Sequence, residues 1–515
     1  MVVFAAIDVG SYELSMKVYE YVGKSMKEID HVRHKVELGL DTYMYGKISN
    51  EHINEVCKIL YEFKVIMKSY KVTEYRACAT SAFRDIDNAN IVLDQIEQRT
   101  GIRVGKLSNS EQCFLSYKSL ATKLETFGPM IEKSTAIVDF SGGSIQISLF
   151  DKEALVVTQK IKLGIYRLQE MLRYLNATDT TLETYMMELV NPQLSTFKKM
   201  YLKDKTVSNI IILDDYLSDY LSQNGDVKHQ ATKGNNQIWS AQQYEKLMRM
   251  IIGKNKMEVS KVLNMSEDAS KYFLVCGILL DRIVAVLQGE YIWAPATKLV
   301  DGMAYEYGEE HKLLHVTHNF EQDIIASAQN ISKRFMGSKK RSETLEDIAL
   351  NIFDATKKIH GLGKRERLLL KIATILHDCG KYISMTALGE TSYSIIMATE
   401  IIGLSHLERE IIALVVRYNH DDFEYFDERE RKALNVDAYL VMSKLTAILR
   451  IANALDRSHK QKFKSIKCIM KDEKLVITVD TNEDITVEKS LMKNRAIFFE
   501  EVFNVLVDVR RKRSI

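Results

Sequence analysis

Hydrophobic positions along the first 150 residues alternate between the spacing of strands and the spacing of helices. A continuous apolar run over residues 2–7 predicts a buried strand, and the alternation over 13–21 predicts its hairpin partner. Apolar side chains recur at helical spacing over 49–68, where Ser49 can cap the helix. A strand, a helix and another strand are predicted at 74–79, 88–100 and 136–138. This alternation is typical of α/β architecture.

The pattern changes near residue 313, where strands give way to long amphipathic helices. Before it, strands are predicted at 154–161 and 209–213, and an apolar helix at 272–287. After it, helices are predicted at 345–359, 367–377 and 408–418. The C-terminal segment returns to strands, at 465–470 and 474–479, and a helix, at 490–506. We therefore predict two α/β domains, a helical domain and a small α+β domain, at 1–123, 124–307, 313–456 and 457–515.

Composition narrows the class of protein. Hydrophobic residues make up 46% of the 515 residues and charged residues 27%, which argues against disorder. The 71 Lys and Arg nearly cancel the 69 Asp and Glu, so no overall nucleic-acid or membrane signature remains. Six scattered cysteines without a C-x-x-C pair fit a reducing compartment. No uninterrupted apolar stretch approaches the ~20 residues of a membrane span, so we expect a soluble, cytoplasmic protein without nucleic-acid or membrane partners.

Two similar turns follow predicted strands about 130 residues apart. The first is D-V-G-S at 8–11 and the second is D-F-S-G-G-S at 139–144. Each places an acid at the end of a strand, followed by glycine and serine whose backbone N–H groups can approach a phosphate. Either turn alone is a common tight turn. Together they resemble the paired phosphate loops of the actin, sugar kinase and Hsp70 superfamily.

Three further segments narrow this resemblance. The sequence A-T-S-A-F-R at 79–84, with Asn88, resembles A-T-S-A-x-R-x-x-x-N. The sequence L-S-N-S-E-Q at 107–112 resembles I-S-G-x-E-E, and K-L-G-I-Y-R-L at 162–168 resembles P-L-G-x-x-R-L. In this order and spacing, the five segments resemble the exopolyphosphatase/guanosine pentaphosphate phosphohydrolase (Ppx/GppA) family.

The resemblance implies two RNase H-like domains and hydrolysis of a terminal phosphoanhydride of inorganic polyphosphate or guanosine pentaphosphate in the cleft between them. Arg84 would neutralise negative charge, and Asp139, with Asp8 as a second candidate, would hold Mg²⁺ or Mn²⁺. A carboxylate at 111–112, here Glu111 or Gln112, would position and deprotonate the attacking water. The family also implies a homodimer and guanosine penta- or tetraphosphate as a ligand. Phosphates would bind at Gly10, Ser11, Thr80, Ser81, Gly142, Gly143 and Ser144.

Departures from the family pattern leave a second function open. Gln112 replaces the catalytic carboxylate, and Gln146 replaces an acid expected near Mg²⁺. A glutamine orients water but cannot accept its proton, and general-base assistance contributes about 10²–10⁴-fold to a rate. Asp214 and Asp215 replace glycines of a loop and would repel phosphate. The alternative is a catalytically impaired protein that senses polyphosphate or a guanosine nucleotide. A sugar or acetate kinase is a third interpretation, but it requires an adenosine-binding glycine loop where these two acids stand.

The helical region contains one further motif. His377 and Asp378 follow an apolar helix and resemble the H-D doublet of HD phosphohydrolases, which gather His and Asp ligands for metals from several helices. The other expected ligand positions fall near Thr344, Thr391 and Asn453. Because two ligands seldom hold a catalytic metal, we expect a degenerate HD-like domain in which the doublet is structural.

Overall fold

The computed structural model describes residues 2–203, 205–225, 238–316, 318–425 and 434–512. The chain divides into two compact units, residues 1–323 and 324–515. The first unit contains two sheets and the second contains the long helices and a small sheet. The mixed α/β architecture followed by a helical region is the one that the sequence pattern predicts.

The first sheet has five strands in the order β3-β2-β1-β4-β5. Strand β1 pairs antiparallel with β2 and parallel with β4, so it lies in the middle of the sheet. Both of its faces are buried, which explains its continuous apolar sequence. The strands are β1 (Val2–Val9), β2 (Glu13–Val22), β3 (Ser25–Lys35), β4 (Glu74–Ala79) and β5 (Val104–Lys106). The helices that accompany them are α1 (Leu38–Tyr45), α2 (Asn50–Ser69), α3 (Ser81–Arg84), α4 (Ala89–Thr100), α5 (Asn109–Ser119) and α6 (Leu124–Ile131).

The second sheet repeats this topology. Its six strands have the order β10-β11-β9-β6-β7-β8, with β6, β7 and β8 antiparallel and β9 and β11 parallel to β6. The strands are β6 (Thr135–Phe140), β7 (Ile145–Asp151), β8 (Ala154–Ile161), β9 (Asn209–Leu213), β10 (Ile238–Ser240) and β11 (Tyr291–Trp293). The helices are α7 (Ile165–Tyr174), α8 (Leu182–Phe197), α9 (Ser218–Asn224), α10 (Ala241–Ile251), α11 (Lys256–Leu263), α12 (Glu267–Leu287) and α13 (Leu299–Glu310).

Helix α13 packs against the first sheet, although it follows the second sheet in sequence. Its Val300 and Met303 share a buried cluster with Phe4 of β1. At its start, Asp301 accepts a hydrogen bond from the Tyr19 hydroxyl at 2.7 Å and pairs with the Lys17 ammonium at 3.0 Å. The chain therefore returns to its first sheet at the end of the first unit. The domain limits at 123/124 and 307/313 stay predictions.

The second unit is built from helices and ends in a three-stranded sheet of order β12-β13-β14. Its helices are α14 (Phe320–Arg334), whose first turn contains the boundary between the units, α15 (Lys339–Ala355), α16 (Lys357–His360), α17 (Lys364–Leu376), α18 (Leu388–Ala398), α19 (His406–His420) and α20 (Val436–Leu455). The last elements are β12 (Ser465–Lys471), β13 (Lys474–Asp480), α21 (Thr486–Phe503) and β14 (Leu506–Lys512). The predicted final helix extended to residue 506, but α21 ends at Phe503 and a strand follows it.

Helix α20 has the length and the apolar composition of a membrane-spanning helix. It is the one helix, among the described residues, that is long and apolar enough to cross a bilayer. However, 78% of its most apolar window is buried inside the protein, which is typical of a core helix.

Candidate active site

A cavity in the first unit collects residues from the ends of four strands that the sequence places far apart. Asp8 is in β1, Thr80 follows β4, Asp139 is in β6 and Asp214 follows β9. The carboxyl ends of parallel strands are the usual position for a ligand site in an α/β fold. The predicted site residues that line this cavity are Asp8, Gly10, Ser11, Thr80, Ser81, Gln112, Asp139 and Gly142.

The two predicted phosphate loops lie against each other. The Gly10 N–H donates to the Glu13 carbonyl at 3.0 Å, which closes a tight turn between β1 and β2. A Cβ on Gly142 would lie 2.7 Å from the Ser11 hydroxyl oxygen, closer than real Cβ contacts. A side chain at position 142 would therefore displace the Ser11 hydroxyl where the second loop meets the first.

The remaining residues of the second loop support it instead of lining the cavity. Ser144 is buried, and its carbonyl accepts hydrogen bonds from the Ser141 N–H at 3.0 Å and hydroxyl at 2.9 Å. A Cβ on Gly143 would collide with the Tyr43 hydroxyl. Gly143 and Ser144, both predicted as phosphate-binding, are not among the residues that line this cavity.

A glycine of the 162–168 segment holds this loop in place. A Cβ on Gly164 would lie 2.1 Å from the carbonyl carbon of Gly143. The helix that follows donates the Ile165 N–H to the Ser141 carbonyl at 3.2 Å and the Tyr166 N–H to the Gly142 carbonyl at 3.0 Å. The leucine–glycine motif that the sequence singled out is thus a support for the phosphate loop.

Two carboxylates in the cavity have buried oxygen atoms without a partner. Within the described part of the chain, neither Asp8 Oδ1 nor Asp139 Oδ2 has a hydrogen-bond partner. Burial raises the pKa of Asp139 to about 6, and it raises the pKa of Asp8 well above its usual range, with Asp215 and Glu13 adding repulsion. Carboxylates in this state are stabilised by a cation, and oxygen ligands are what Mg²⁺ prefers.

The two acids after β9 do not act as free negative charges. Asp214 Oδ1 accepts hydrogen bonds from the backbone N–H groups of Tyr216, Leu217 and Ser218, at 2.6, 2.6 and 3.0 Å. Asp215 pairs with the buried ammonium of Lys298 at 3.0 Å. The repulsion that the sequence predicts from these acids is therefore reduced by local hydrogen bonds and by an ion pair.

Lys298 is the main cavity residue that sequence reasoning missed. Its Nζ also donates to the Asp214 carbonyl at 3.1 Å, and the carboxylates around it, with Asp215 first, raise its pKa. A lysine directly before an apolar helix has no motif of its own. Only the return of α13 to the first sheet brings this cation into the cavity.

The two candidate catalytic residues of the segment at 107–112, Glu111 and Gln112, have different environments. Glu111 forms a capping box with Ser108: its Oε2 accepts the Ser108 N–H at 2.8 Å, and its own N–H donates to the Ser108 hydroxyl at 3.2 Å. Gln112 lines the cavity, and its Oε1 accepts a hydrogen bond from Arg84 Nη1 at 2.7 Å. Glu111 is therefore held at the start of α5. Arg84, like Glu111, is not among the residues that line the cavity, and it contacts the cavity through Gln112.

Gln146 is not at the cavity. It is buried in β7, where its Oε1 accepts a hydrogen bond from Asn109 Nδ2 at 3.1 Å. Asn109 and Gln146, two departures from the family pattern, thus contact each other. Neither lines the cavity.

In the second unit, the His377-Asp378 doublet lies beside a buried arginine. Arg341 Nη2 donates to Asn453 Oδ1 at 2.8 Å, and its Nε lies 3.7 Å from Asp456 Oδ2. Attraction to Asp378 and Asp456 opposes the lowering of the Arg341 pKa by burial. Among the residues the structure describes, no three His, Cys, Asp or Glu side chains are grouped to hold a metal. The cation next to these acids is thus a guanidinium, and a structural role of the doublet stays a prediction.

We expect His377 to make the stability of the protein depend on pH. Its Nδ1 donates to the Thr374 carbonyl at 2.8 Å, and burial lowers its pKa to about 3. An unfolded histidine titrates near 6.5, so the folded state binds fewer protons between these values and stability falls as pH drops below 6.5. We expect acidification from about pH 7 to about pH 5 to cost about 2 kcal/mol through this residue. Urea unfolding of wild type and His377→Asn at both pH values measures this loss of stability. An equal pH dependence of the free energy of unfolding in the two proteins would contradict the prediction.

Family models match most of the chain. The model of the Ppx/GppA phosphatase family matches residues 17–311, and the model of the Ppx/GppA phosphatase domain III matches residues 325–496. The first match contains the Thr80–Arg84 and Asp139–Ser144 segments on which the resemblance rests. The second begins one residue after the boundary at Ile324.

Curated relatives are similar over nearly their whole length. One from Photobacterium profundum is named guanosine-5'-triphosphate,3'-diphosphate pyrophosphatase. It is 22% identical to this chain, and the match covers 87% of this chain and 86% of the length of the relative. One of the same name from Pseudoalteromonas translucida is 21% identical over 82% of each chain.

Solved structures share the fold over 61% of this chain. An exopolyphosphatase from Cytophaga hutchinsonii has a TM-score of 0.53 at 17% identity, covering 61% of this chain and all of its own. The Ppx/GppA family member from Aquifex aeolicus has a TM-score of 0.50 at 19% identity, covering 61% of this chain and 99% of its own. The family match, the paired loops and the repeated sheet topology agree, and the chain belongs to the Ppx/GppA phosphatase family.

Proposed function

We propose that the cavity between the two sheets hydrolyses the terminal phosphoanhydride bond of inorganic polyphosphate or of guanosine pentaphosphate. The observation that carries this proposal is the pair of buried carboxylates, Asp8 and Asp139, beside the glycine and serine turns. Each has an oxygen without a hydrogen-bond partner in the described part of the chain. The names of the curated relatives support a guanosine substrate, and the name of the Cytophaga structure supports polyphosphate.

Binding of the phosphate chain depends on donors that are already in place. The turn at Gly10 and Ser11 and the hydroxyls of Thr80 and Ser81 line the cavity. Phosphoryl transfer needs such donors, together with positive charge and an oriented water, more than it needs a covalent nucleophile. Arg84 would supply positive charge at the Gln112 side of the cavity.

Asp139 and Asp8 fit a divalent cation. Mg²⁺ is commonly bound through one or two carboxylates plus the phosphates of the substrate, so a cage of three protein ligands is not required. When bound, Mg²⁺ or Mn²⁺ would neutralise charge on the phosphate oxygens and on these two carboxylates.

The residues at the water position differ from the family pattern. Because Arg84 occupies the Oε1 of Gln112, the amide NH₂ of Gln112 remains as a donor, and it would bind a phosphate oxygen or the water. The proton of the attacking water would then go to a carboxylate oxygen of Asp8 or Asp139 that the cation leaves free.

A second candidate function is a sensor that binds polyphosphate or a guanosine nucleotide without rapid turnover. The observation that favours it is Gln112, an amide at the position of the catalytic acid and already bonded to Arg84. Both functions need the same cavity, so they differ in phosphate release and not in binding.

Phosphate release by the full chain with Mg²⁺, from polyphosphate and from guanosine pentaphosphate, tests the proposal. We expect release by wild type and a loss of about 10–10²-fold in Arg84→Ala, because charge-assisted hydrogen bonds to the phosphates are removed. Arg99→Ala, which removes an exposed arginine of α4, is the matched control and should behave as wild type. Tight binding of either ligand without release would favour the sensor. The absence of both binding and release would refute both functions.

A further inference from the structure

The first unit contains a second cavity that shares no lining residue with the candidate active site. Its volume is about 350 Å³, within the range of small-molecule sites, and it lies among α1, α7, α8, α11 and α12. Apolar side chains dominate its wall, among them Leu40, Leu172 and Leu274. A mostly apolar cavity with a few polar groups is the usual composition of a ligand site.

The Gln169 carboxamide in this wall has no hydrogen-bond partner among the described residues. Both the nitrogen and the oxygen of the Gln169 carboxamide are buried, and neither has a hydrogen-bond partner among the described residues. Leaving a buried donor and acceptor unsatisfied is costly, so such a pair is unusual without a ligand. A carboxamide presents a donor next to an acceptor, which matches the same pair on the edge of a nucleobase.

Two aromatic side chains belong to the wall, Tyr43, which is half-buried, and Tyr166, which is buried. The rings of Tyr43 and Tyr166 are nearly parallel, at 17°, with centroids 6.1 Å apart. Planar heterocycles stack on such rings with little dependence on their substituents. The half-buried Tyr43 ring beside the Gln169 carboxamide therefore favours a planar base over a flexible aliphatic ligand.

The outer part of the wall carries charge of both signs. Arg173, Lys256, Lys271 and Asp179 are exposed there, and Glu170 is half-buried. Lys256 also contacts Glu267 at 3.2 Å, and the Lys271 ammonium lies 5.9 Å from the centroid of the Tyr272 ring. The excess of cations over acids in the wall suits an anionic group such as a phosphate.

We propose that this cavity binds a purine nucleotide, with the base against Tyr43 and Gln169 and a phosphate at Arg173, Lys256 and Lys271. The site is separate from the phosphate cavity, so the proposal does not depend on turnover there. It adjoins that cavity, however, because Tyr166 and Tyr43 contact the loop at Gly142 and Gly143. A bound base would therefore bear directly on the tyrosines that support the phosphate loop.

Isothermal titration of the full chain with GMP, AMP, ribose 5-phosphate and inorganic phosphate tests this assignment. We expect at least one purine nucleotide to bind, and ribose 5-phosphate and inorganic phosphate to bind at least about tenfold more weakly, because they lack the base. Polyphosphate at saturation should leave nucleotide binding in place. Displacement of the nucleotide by polyphosphate, or equal binding of ribose 5-phosphate, would overturn the proposal.

Variants of Gln169 locate the binding. Gln169→Leu should weaken nucleotide binding by about tenfold or more and leave polyphosphate binding unchanged, because it removes the donor–acceptor pair. Gln169→Glu, which keeps the shape and removes the donor, should also weaken binding and guards against a folding defect in the leucine variant. Gln98→Leu, at an exposed position of α4, is the control. Unchanged nucleotide binding in both Gln169 variants, or no nucleotide binding by wild type, would refute the site. Loss of phosphate release alone would count only against the proposed hydrolase.

Discussion

Asp139→Asn is expected to lower phosphate release from polyphosphate by about 10²–10⁴-fold, because asparagine removes a negative charge and a proton acceptor from the cavity. The Oδ2 of Asp139 is buried without a partner among the described residues, and the side chain lines the cavity. The measurement is the rate of phosphate release with saturating Mg²⁺, in parallel with polyphosphate binding.

The same variant separates a functional role from a structural one. Burial raises the Asp139 pKa to about 6, above the value of 3.8 for a free side chain, so its charged form destabilises the folded state above pH 6. Asp139→Asn should therefore unfold at a urea concentration no lower than wild type at neutral pH. Asp151→Asn, at the other end of the neighbouring strand, is the control and should keep full activity. Unchanged phosphate release in Asp139→Asn would contradict the proposed role.

Gln112→Glu is expected to raise phosphate release by about 10²-fold, because it restores a carboxylate that can accept the proton of the attacking water. Gln112 lines the cavity and contacts Arg84, whose guanidinium would hold one glutamate oxygen and leave the other free. The rate with polyphosphate and with guanosine pentaphosphate, each with Mg²⁺, is the readout.

Gln146→Glu is the matched comparison for this gain. Gln146 is buried in β7 against Asn109 and is absent from the cavity lining, so its replacement should give no increase. The double variant should therefore resemble Gln112→Glu in rate. An equal gain from each single variant would show that Gln146 acts on the cavity. No gain from Gln112→Glu, with ligand binding intact, would favour the sensor.

Local sequence signals were sufficient to predict several of the strands and helices that position the cavity. The continuous apolar run of β1 and the strand of residues 74–79 are observed as predicted, and Ser49 caps α2 by accepting the His52 N–H. These features depend on side-chain period and on turn chemistry within a few residues. Strand β3 was missed because its polar sequence carries no apolar alternation, and β14 was missed because its arginines resemble a solvated tail.

The candidate site was predicted in part. The two acid–glycine–serine turns do come together, because parallel strands place their carboxyl ends at one edge of each sheet. Glu111, one of the two candidate catalytic residues at 111–112, was predicted to position the attacking water. In the structure, its side chain caps the start of α5. The sequence Ser-x-x-Glu carries that capping signal, and it competed with the catalytic interpretation.

By itself, the sequence determined the fold class, the family motifs and the residues at the strand ends, because each is encoded over a few neighbouring positions. Only the tertiary structure decided which of these residues share a cavity. Lys298 reaches Asp215 across 83 residues, and Arg341 reaches Asn453 across 112. Such contacts depend on which helices pack against sheets that are distant in sequence, and on which charged side chains this packing buries next to each other. No local pattern encodes them, so the cation beside Asp215 and the separation of Gln112 from Gln146 could be known only from the folded chain.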